Sequence, residues 1–194
     1  MEKRTYGIIS IPVIIGALGY FVDIYDLLLF GIIRKTSLRS LGLSEEMVLS
    51  SGEFIISVQM VGLLIGGILW GVMGDKKGRL SVLFGSIILY SLANIANGMV
   101  QTVNQYALLR FIAGVGLAGE LGAGITLVSE LLPKDRRGLG TSLVAGLGLT
   151  GAVVAYFISK QFDWRICYYI GGVLGLLLLV LRVSVFESGM FKQV

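Results

Sequence analysis

Six apolar runs dominate the chain, over residues 6–32, 53–73, 80–99, 106–131, 138–159 and 166–186, with shorter polar stretches between them. A helix needs about 20 apolar residues to cross a bilayer, and each run is near that length. A membrane strand would instead show segments of about ten residues with alternating hydrophobicity, which these runs lack. The pattern predicts an all-α membrane protein with six spans, folded as a single domain over residues 1–194.

The segments between and within the runs carry further signals. Gly71-Val72-Met73-Gly74-Asp75-Lys76-Lys77-Gly78-Arg79-Leu80 holds four charges and three glycines in ten residues, as a short charged turn between two spans would. The longest polar connection is 34–51. Within it Ser44 precedes Glu45 and Glu46, a good N-cap with acids in the first turn. Ser50-Ser51-Gly52-Glu53 fits a capping box that starts the second span. Gly62/Gly66 and Gly67/Gly71 are Gly-x-x-x-Gly pairs, expected to serve close helix packing inside the molecule. The third run is apolar apart from Asn94, Asn97 and some serines, and is expected at the periphery.

Composition agrees with a bilayer solvent. Hydrophobic residues make up 55% of the 194, the mean hydropathy is +0.87, and 14% of residues are charged, against about 25% in soluble domains. Glycine is abundant at 28 residues and proline scarce at 2. The first run is too long for a signal peptide, carries two acids and lacks a small-residue cleavage site, so it is expected to be a retained span. The net charge of +4 sits in short loops, which favours membrane anchoring over nucleic acid. One expected side of the membrane holds Lys3, Arg4, Lys76, Lys77, Arg79, Lys134, Arg136, Arg137, Arg182 and Lys192. The other holds Arg34, Lys35, Arg39, Lys160 and Arg165. The richer side is expected to be cytoplasmic, with both termini on it. The single Cys167 and the absence of histidine point to neither an internal disulfide nor a metal site. With no Walker-type loop and no nucleophile–base pair, neither an enzyme nor a cofactor is expected.

Asp23, Asp26, Arg110 and Glu120 lie inside the apolar runs. A charge at a helix centre costs about 2.5–3.5 kcal/mol on insertion scales, so each needs a partner or a wet cavity. Asp23 and Asp26 are three residues apart and share a helix face. Arg110 and Glu120 are ten apart, roughly 15 Å along a helix and roughly 80° around it, so both can face one side. Two readings follow. One is a polar substrate or proton pathway lined by the first and fourth helices. The other is a buried ion pair that fixes packing, for instance Arg110 with one aspartate.

Gly71-x-x-x-Asp75-x-x-Gly78-Arg79 resembles the signature loop between the second and third helices of the major facilitator superfamily. Arg110-x-x-x-Gly114-x-Gly116 is similar to the family's fourth-helix motif. Glu130-x-x-Pro133-x-x-x-Arg137-Gly138 resembles the cytoplasmic end of that helix in its sugar and organic-acid porters. Gly19-Tyr20-Phe21-Val22-Asp23-x-x-Asp26 resembles the first helix of organic-anion:proton symporters, and Phe186-Glu187-Ser188-x-x-Phe191 the stretch after the sixth helix. The resemblance implies half of a major facilitator fold, six transmembrane helices arranged as a 3+3 inverted repeat. It implies secondary active transport of a small polar or anionic solute across the inner membrane by alternating access, with protons as the coupling ion. A full member has twelve spans. This half would expose the polar faces of its first and fourth helices to lipid, and so is expected to pair with a second copy of itself or with a C-terminal half. A non-transporting half that serves as a structural membrane subunit is the rival reading. By the same resemblance Asp75 docks on the other half and closes the cytoplasmic side, with Arg79, Glu130 and Arg137 as its charge network. As proton carriers, Asp26 and Asp23 rank above Glu120 because they share one face, with Arg110 as the intramembrane base.

Overall fold

The computed structural model describes residues 10–133 and 135–187, with side chains described at all of these except 12, 79, 80, 122–131 and 185–187. Six α-helices account for nearly all of it: α1 (Ile11–Ser40), α2 (Glu45–Lys77), α3 (Arg79–Asn97), α4 (Val103–Leu131), α5 (Arg137–Gln161) and α6 (Trp164–Glu187). Strands are absent among the described residues. Val13–Ser40, Glu45–Lys77, Arg137–Gln161 and Trp164–Ser184 are long and apolar enough to cross a membrane, and Ser81–Asn97 is a shorter apolar helix.

Local chemistry sets the helix ends, and in places overrides the expected boundaries. Ser44 is the N-cap of α2 in extended conformation, with Glu45 and Glu46 in the first turn facing the helix dipole. The helix therefore starts eight residues before the expected span, and Ser50–Glu53 lies inside it. No capping box forms there, and the Ser50 hydroxyl donates instead to the Met47 carbonyl (3.3 Å). Once nucleated, a helix extends at little cost through polar residues outside the bilayer. The expected long connection 34–51 shrinks to residues 41–44, clipped by Arg39 Nη2 donating to Glu45 Oε2 at 2.8 Å. This contact holds the Glu45 carboxyl below the usual carboxylate range. The charged stretch 71–80 is likewise not an open loop. Helix α2 runs through Asp75 to Lys77, and the break is Gly78 alone, at φ 85°, ψ 150°, a conformation that favours glycine. Pro133 follows the last residues of α4, where a missing N–H is tolerated.

Helices α1 and α4 are the centre of the body. They touch each other; α1 also packs on α5, α6 and α2, and α4 on α2, α3 and α5. Absent side chains permit the tightest crossings. A Cβ on Gly66 would stand 2.7 Å from the Val115 Cα, and one on Gly62 would stand 3.2 Å from the Phe111 Cα. These glycines let α2 and α4 meet backbone to backbone, as expected of internal packing. Gly67 and Gly71 do not follow: a Cβ on either meets nothing within 4 Å. They point away from α4, on the outer side of α2 with Leu64, Ile68 and Val72.

The third helix is only half peripheral. Ile88 and Leu92 face outward, while Ser86, Tyr90, Ser91, Asn94 and Asn97 are fully buried on the side toward α4 and α6. The few polar residues of this run face the interior because a hydrocarbon surround leaves them nowhere else to find partners. At one end of the body Tyr25, Phe30, Tyr106, Trp164 and Tyr168 form an aromatic layer, with Phe30 and Tyr106 edge to face at 5.1 Å.

Gly66→Ala is expected to destabilise the body by about 1–3 kcal/mol, since the new methyl group meets α4 backbone that cannot move aside. Gly67→Ala should be neutral or mildly stabilising. Thermal unfolding of the two variants in detergent, compared side by side, checks the contrast.

Candidate functional site

All four expected intramembrane charges are buried within this single body: Asp23 and Glu120 are 1% exposed, Asp26 and Arg110 0%. The expectation that a lone half would turn them toward lipid is therefore overturned. Helices α3 and α6 cover what the first and fourth helices by themselves would leave open. The charges form two layers separated along α4 by the ten residues from Arg110 to Glu120, about 15 Å of rise.

The outer layer centres on Arg110. Its Nη1 donates to Asp26 Oδ1 (3.1 Å) and to Asn94 Oδ1 (3.2 Å), its Nη2 to the Asp26 carbonyl (3.2 Å), and its Nε to Gln59 Oε1 (3.3 Å). Three other helices thus supply acceptors to one guanidinium: α1, α2 and α3. The Tyr168 ring lies 5.6 Å from the guanidinium carbon and adds a cation–π contact from α6. Tyr168 is held in turn by Tyr106, hydroxyl to hydroxyl at 2.8 Å, and the Tyr25 hydroxyl donates to the Cys167 carbonyl at 2.9 Å. The expected ion pair is therefore Arg110 with Asp26. Polar atoms in the same layer still lack hydrogen-bond partners: Asp26 Oδ2, Gln59 Nε2 and Asn94 Nδ2.

The inner layer contains a residue that the sequence pattern had placed elsewhere. Arg182, assigned to a cytoplasmic loop, is 8% exposed and lies within α6. Its Nη1 donates to Glu120 Oε2 at 2.7 Å, and its Nη2 contacts Glu120 Oε1. Gly19 on α1 makes room for the pair, since a Cβ there would stand 2.7 Å from Glu120 Oε1 and 3.3 Å from the Arg182 guanidinium carbon. Arg110 is thus not the lone intramembrane base. A signal was present in the sequence: Arg182 follows the leucine run without a break, and α6 continues past it to Glu187. Gln59, Asn94 and Tyr90 were also missed as site residues, because isolated neutral polar residues carry no pairing information.

The expected gating set is only partly within view. Gly71 and Gly78 have open space around their Cα atoms, and Asp75 is exposed on the last turn of α2. Arg137 is exposed, its Nε donating to the Leu132 carbonyl at 3.1 Å across the start of α5. The side chains of Arg79 and Glu130 lie outside the described ones. Among the described residues no cluster of potential metal ligands occurs.

Comparison with known proteins agrees with this architecture. A family model described as Major Facilitator Superfamily matches residues 8–189. The chain is similar to the niacin transporter NiaP of Acinetobacter baylyi, with 32% identity over 175 residues, 88% of this chain and 39% of that protein. It is also similar to the benzoate transport protein of the same organism, with 30% identity over 185 residues, 91% of this chain and 39% of the relative. It thus spans about two fifths of the length of these relatives. In fold it resembles the inward open xylose transporter XylE from E. coli, with a TM-score of 0.72 at 22% identity, covering 92% of this chain and 48% of that one.

Arg110→Met should destabilise the body by about 3–5 kcal/mol, because it leaves the Asp26 carboxylate buried without a cation. Adding Asp26→Asn should recover part of that loss. Unfolding of the single and double variants in detergent, analysed as a double-mutant cycle, measures the coupling.

Proposed function

The chain belongs to the Major Facilitator Superfamily, a family of multi-pass membrane transporters rather than enzymes, and on that premise we propose that it is one six-helix body of a proton-coupled transporter for a small organic anion. The observation that carries this reading is the buried Arg110 layer. A guanidinium held by Asp26 and neutral acceptors, beside polar atoms still unpartnered, can exchange one of its acceptors for a carboxylate of a solute. The relatives named for niacin and benzoate transport support an aromatic or heteroaromatic acid as the solute class.

The helix contacts support the 3+3 arrangement. Exchanging α1, α2, α3 with α4, α5, α6 maps the pair α2–α4 onto α5–α1 and the pair α3–α4 onto α6–α1, and both members of each pair are packed together. Orientation in the inner membrane keeps its basis. With Arg182 moved into a span, nine basic residues remain on the proposed cytoplasmic side against five on the other, and both termini stay on the richer side.

Alternating access needs two bodies that rock against each other. We propose a second copy of this chain as the other body. The seam is not the buried charged faces of α1 and α4 but the outward sides of α2 and α5, where Leu64, Ile68, Leu147 and Val153 are about half to two-thirds exposed and where Gly67, Gly71 and Gly146 leave open space. Asp75 at the end of α2 would then make a charge-assisted contact across the cytoplasmic side of the seam, with Arg79, Glu130 and Arg137 nearby. Asp23, Asp26 and Glu120 are the acids of the proposed proton pathway.

Uptake of labelled nicotinate or benzoate into proteoliposomes should rise several-fold under an inwardly directed pH gradient and fall to background in Arg110→Lys, which cannot reproduce the forked contacts. Uptake indifferent to the gradient would remove proton coupling, and no uptake of either acid would remove the solute class. Cysteines at Leu64 or Leu147 should cross-link two chains in native membranes; a persistent monomer would instead support the structural-subunit reading. Asp75→Asn should increase labelling of pathway cysteines from the cytoplasmic side, because one closed-state contact is lost.

A further inference from the structure

Arg110 is held by two kinds of ligand. Asp26 of α1 supplies a carboxylate oxygen and its main-chain carbonyl, while Gln59 of α2 and Asn94 of α3 each supply one amide oxygen, at 3.3 and 3.2 Å. A guanidinium has donors and no acceptor, so the end of each amide that meets it must be the carbonyl oxygen. The amide nitrogens, Gln59 Nε2 and Asn94 Nδ2, are thereby turned away from Arg110, and both are buried without a hydrogen-bond partner. An amide N–H taken out of water and left unpaired costs free energy, and here two such groups sit beside one cation.

The two kinds of ligand differ in what they can exchange. Asp26 neutralises the guanidinium, and as a carboxylate it only accepts, so it has nothing to offer an incoming anion. The amides are neutral, and their bonds to Arg110 are at the long end of the ordinary range. Their terminal torsion is broad and roughly two-fold. Half a turn about it converts either amide from an acceptor for Arg110 into a donor. Asn94 has room for that turn. On its nitrogen side lies Gly171 of α6, where even a Cβ would stand 4.0 Å from Nδ2.

We propose that Gln59 and Asn94 are specificity-determining residues that change sides when the solute binds. In the empty body their carbonyl oxygens occupy Arg110. As a solute carboxylate takes over those guanidinium donors, each amide turns, and its N–H group donates to the same carboxylate. The anion then gains donors from α2, α3 and α4 together, whereas a neutral solute brings no charge with which to displace the amides. A carboxylate at either position would instead hold Arg110 and repel the anion, which is a physical reason for amides there. The inference deepens the proposed function and rests on it: it adds residues of α2 and α3 as ligands of the solute that Arg110 receives.

Removing an amide has opposite effects under the two roles it could play. Asn94→Leu and Gln59→Met keep roughly the size of each side chain and delete its polar atoms. If the amides only satisfied Arg110 in the empty body, each change would remove a competitor for the guanidinium, and solute binding would tighten. If they donate to the bound carboxylate, each change should weaken binding about 10- to 100-fold, the loss expected for a hydrogen bond to a charged group. Calorimetric titration of the chain in lipid nanodiscs, with nicotinate and separately with benzoate, measures the difference. Weaker binding by a folded variant, with wild-type helix content by circular dichroism, supports the proposal for its residue. Unchanged or tighter binding overturns it there and leaves the proposed function standing. A wild type that binds neither acid overturns both. The two substitutions lie on different helices, so either one decides if the other does not fold.

Discussion

The placement of Arg110 is the constraint on which the rest of the body depends. A fully buried guanidinium in an apolar surround must have its donors met, and no single helix can meet them. Asp26 from α1, Gln59 from α2 and Asn94 from α3 converge on it, with Tyr168 of α6 over its face. The relative register of five helices, counting α4 itself, is therefore fixed by one side chain. Lipid cannot substitute for any of these partners, which gives the arrangement more specificity than an equivalent layer of leucines would carry.

Close approach is the second requirement, because side chains as short as asparagine and aspartate must reach the guanidinium. Glycine supplies it. Gly62 and Gly66 bring the backbone of α2 onto α4, while Gly148 and Gly151 bring α5 onto α1 at Tyr20 and Phe21. Gly19 does the same work for the inner pair by leaving room for Arg182 and Glu120. The many glycines are thus divided by role: those that face another helix shape the charged layers, and those of the outer side of α2 keep a smooth apolar surface.

The two layers also differ in chemistry. Around Arg110 the acceptors are mostly neutral and several polar atoms remain unpartnered. Around Arg182 the ligand is a carboxylate, Glu120, held as a buried ion pair. About 15 Å of α4 separates them, and α1 connects them through Asp23 and Asp26, one turn apart.

The sequence by itself determined the membrane class, the six helices, and the identity of four of the five buried charges. Each of these is written in local pattern: run length, composition, and a charge where hydrocarbon surrounds it. Helix ends at 40, 45 and 77 were shifted because capping and propagation act beyond the apolar run that marks the bilayer. Which charge meets which was decided only in the tertiary structure, because pairing depends on how helices rotate and slide against one another. So Arg110 finds Asp26 rather than Asp23, Arg182 enters the interior to meet Glu120, and the polar residues of α3 turn inward. Lipid exposure of the first- and fourth-helix faces, which the pattern of those two helices alone implied, is likewise removed by α3 and α6. A residue's burial is a property of its neighbours, and those neighbours lie far away along the chain, 84 residues for Asp26 and Arg110 and 142 for Tyr25 and Cys167.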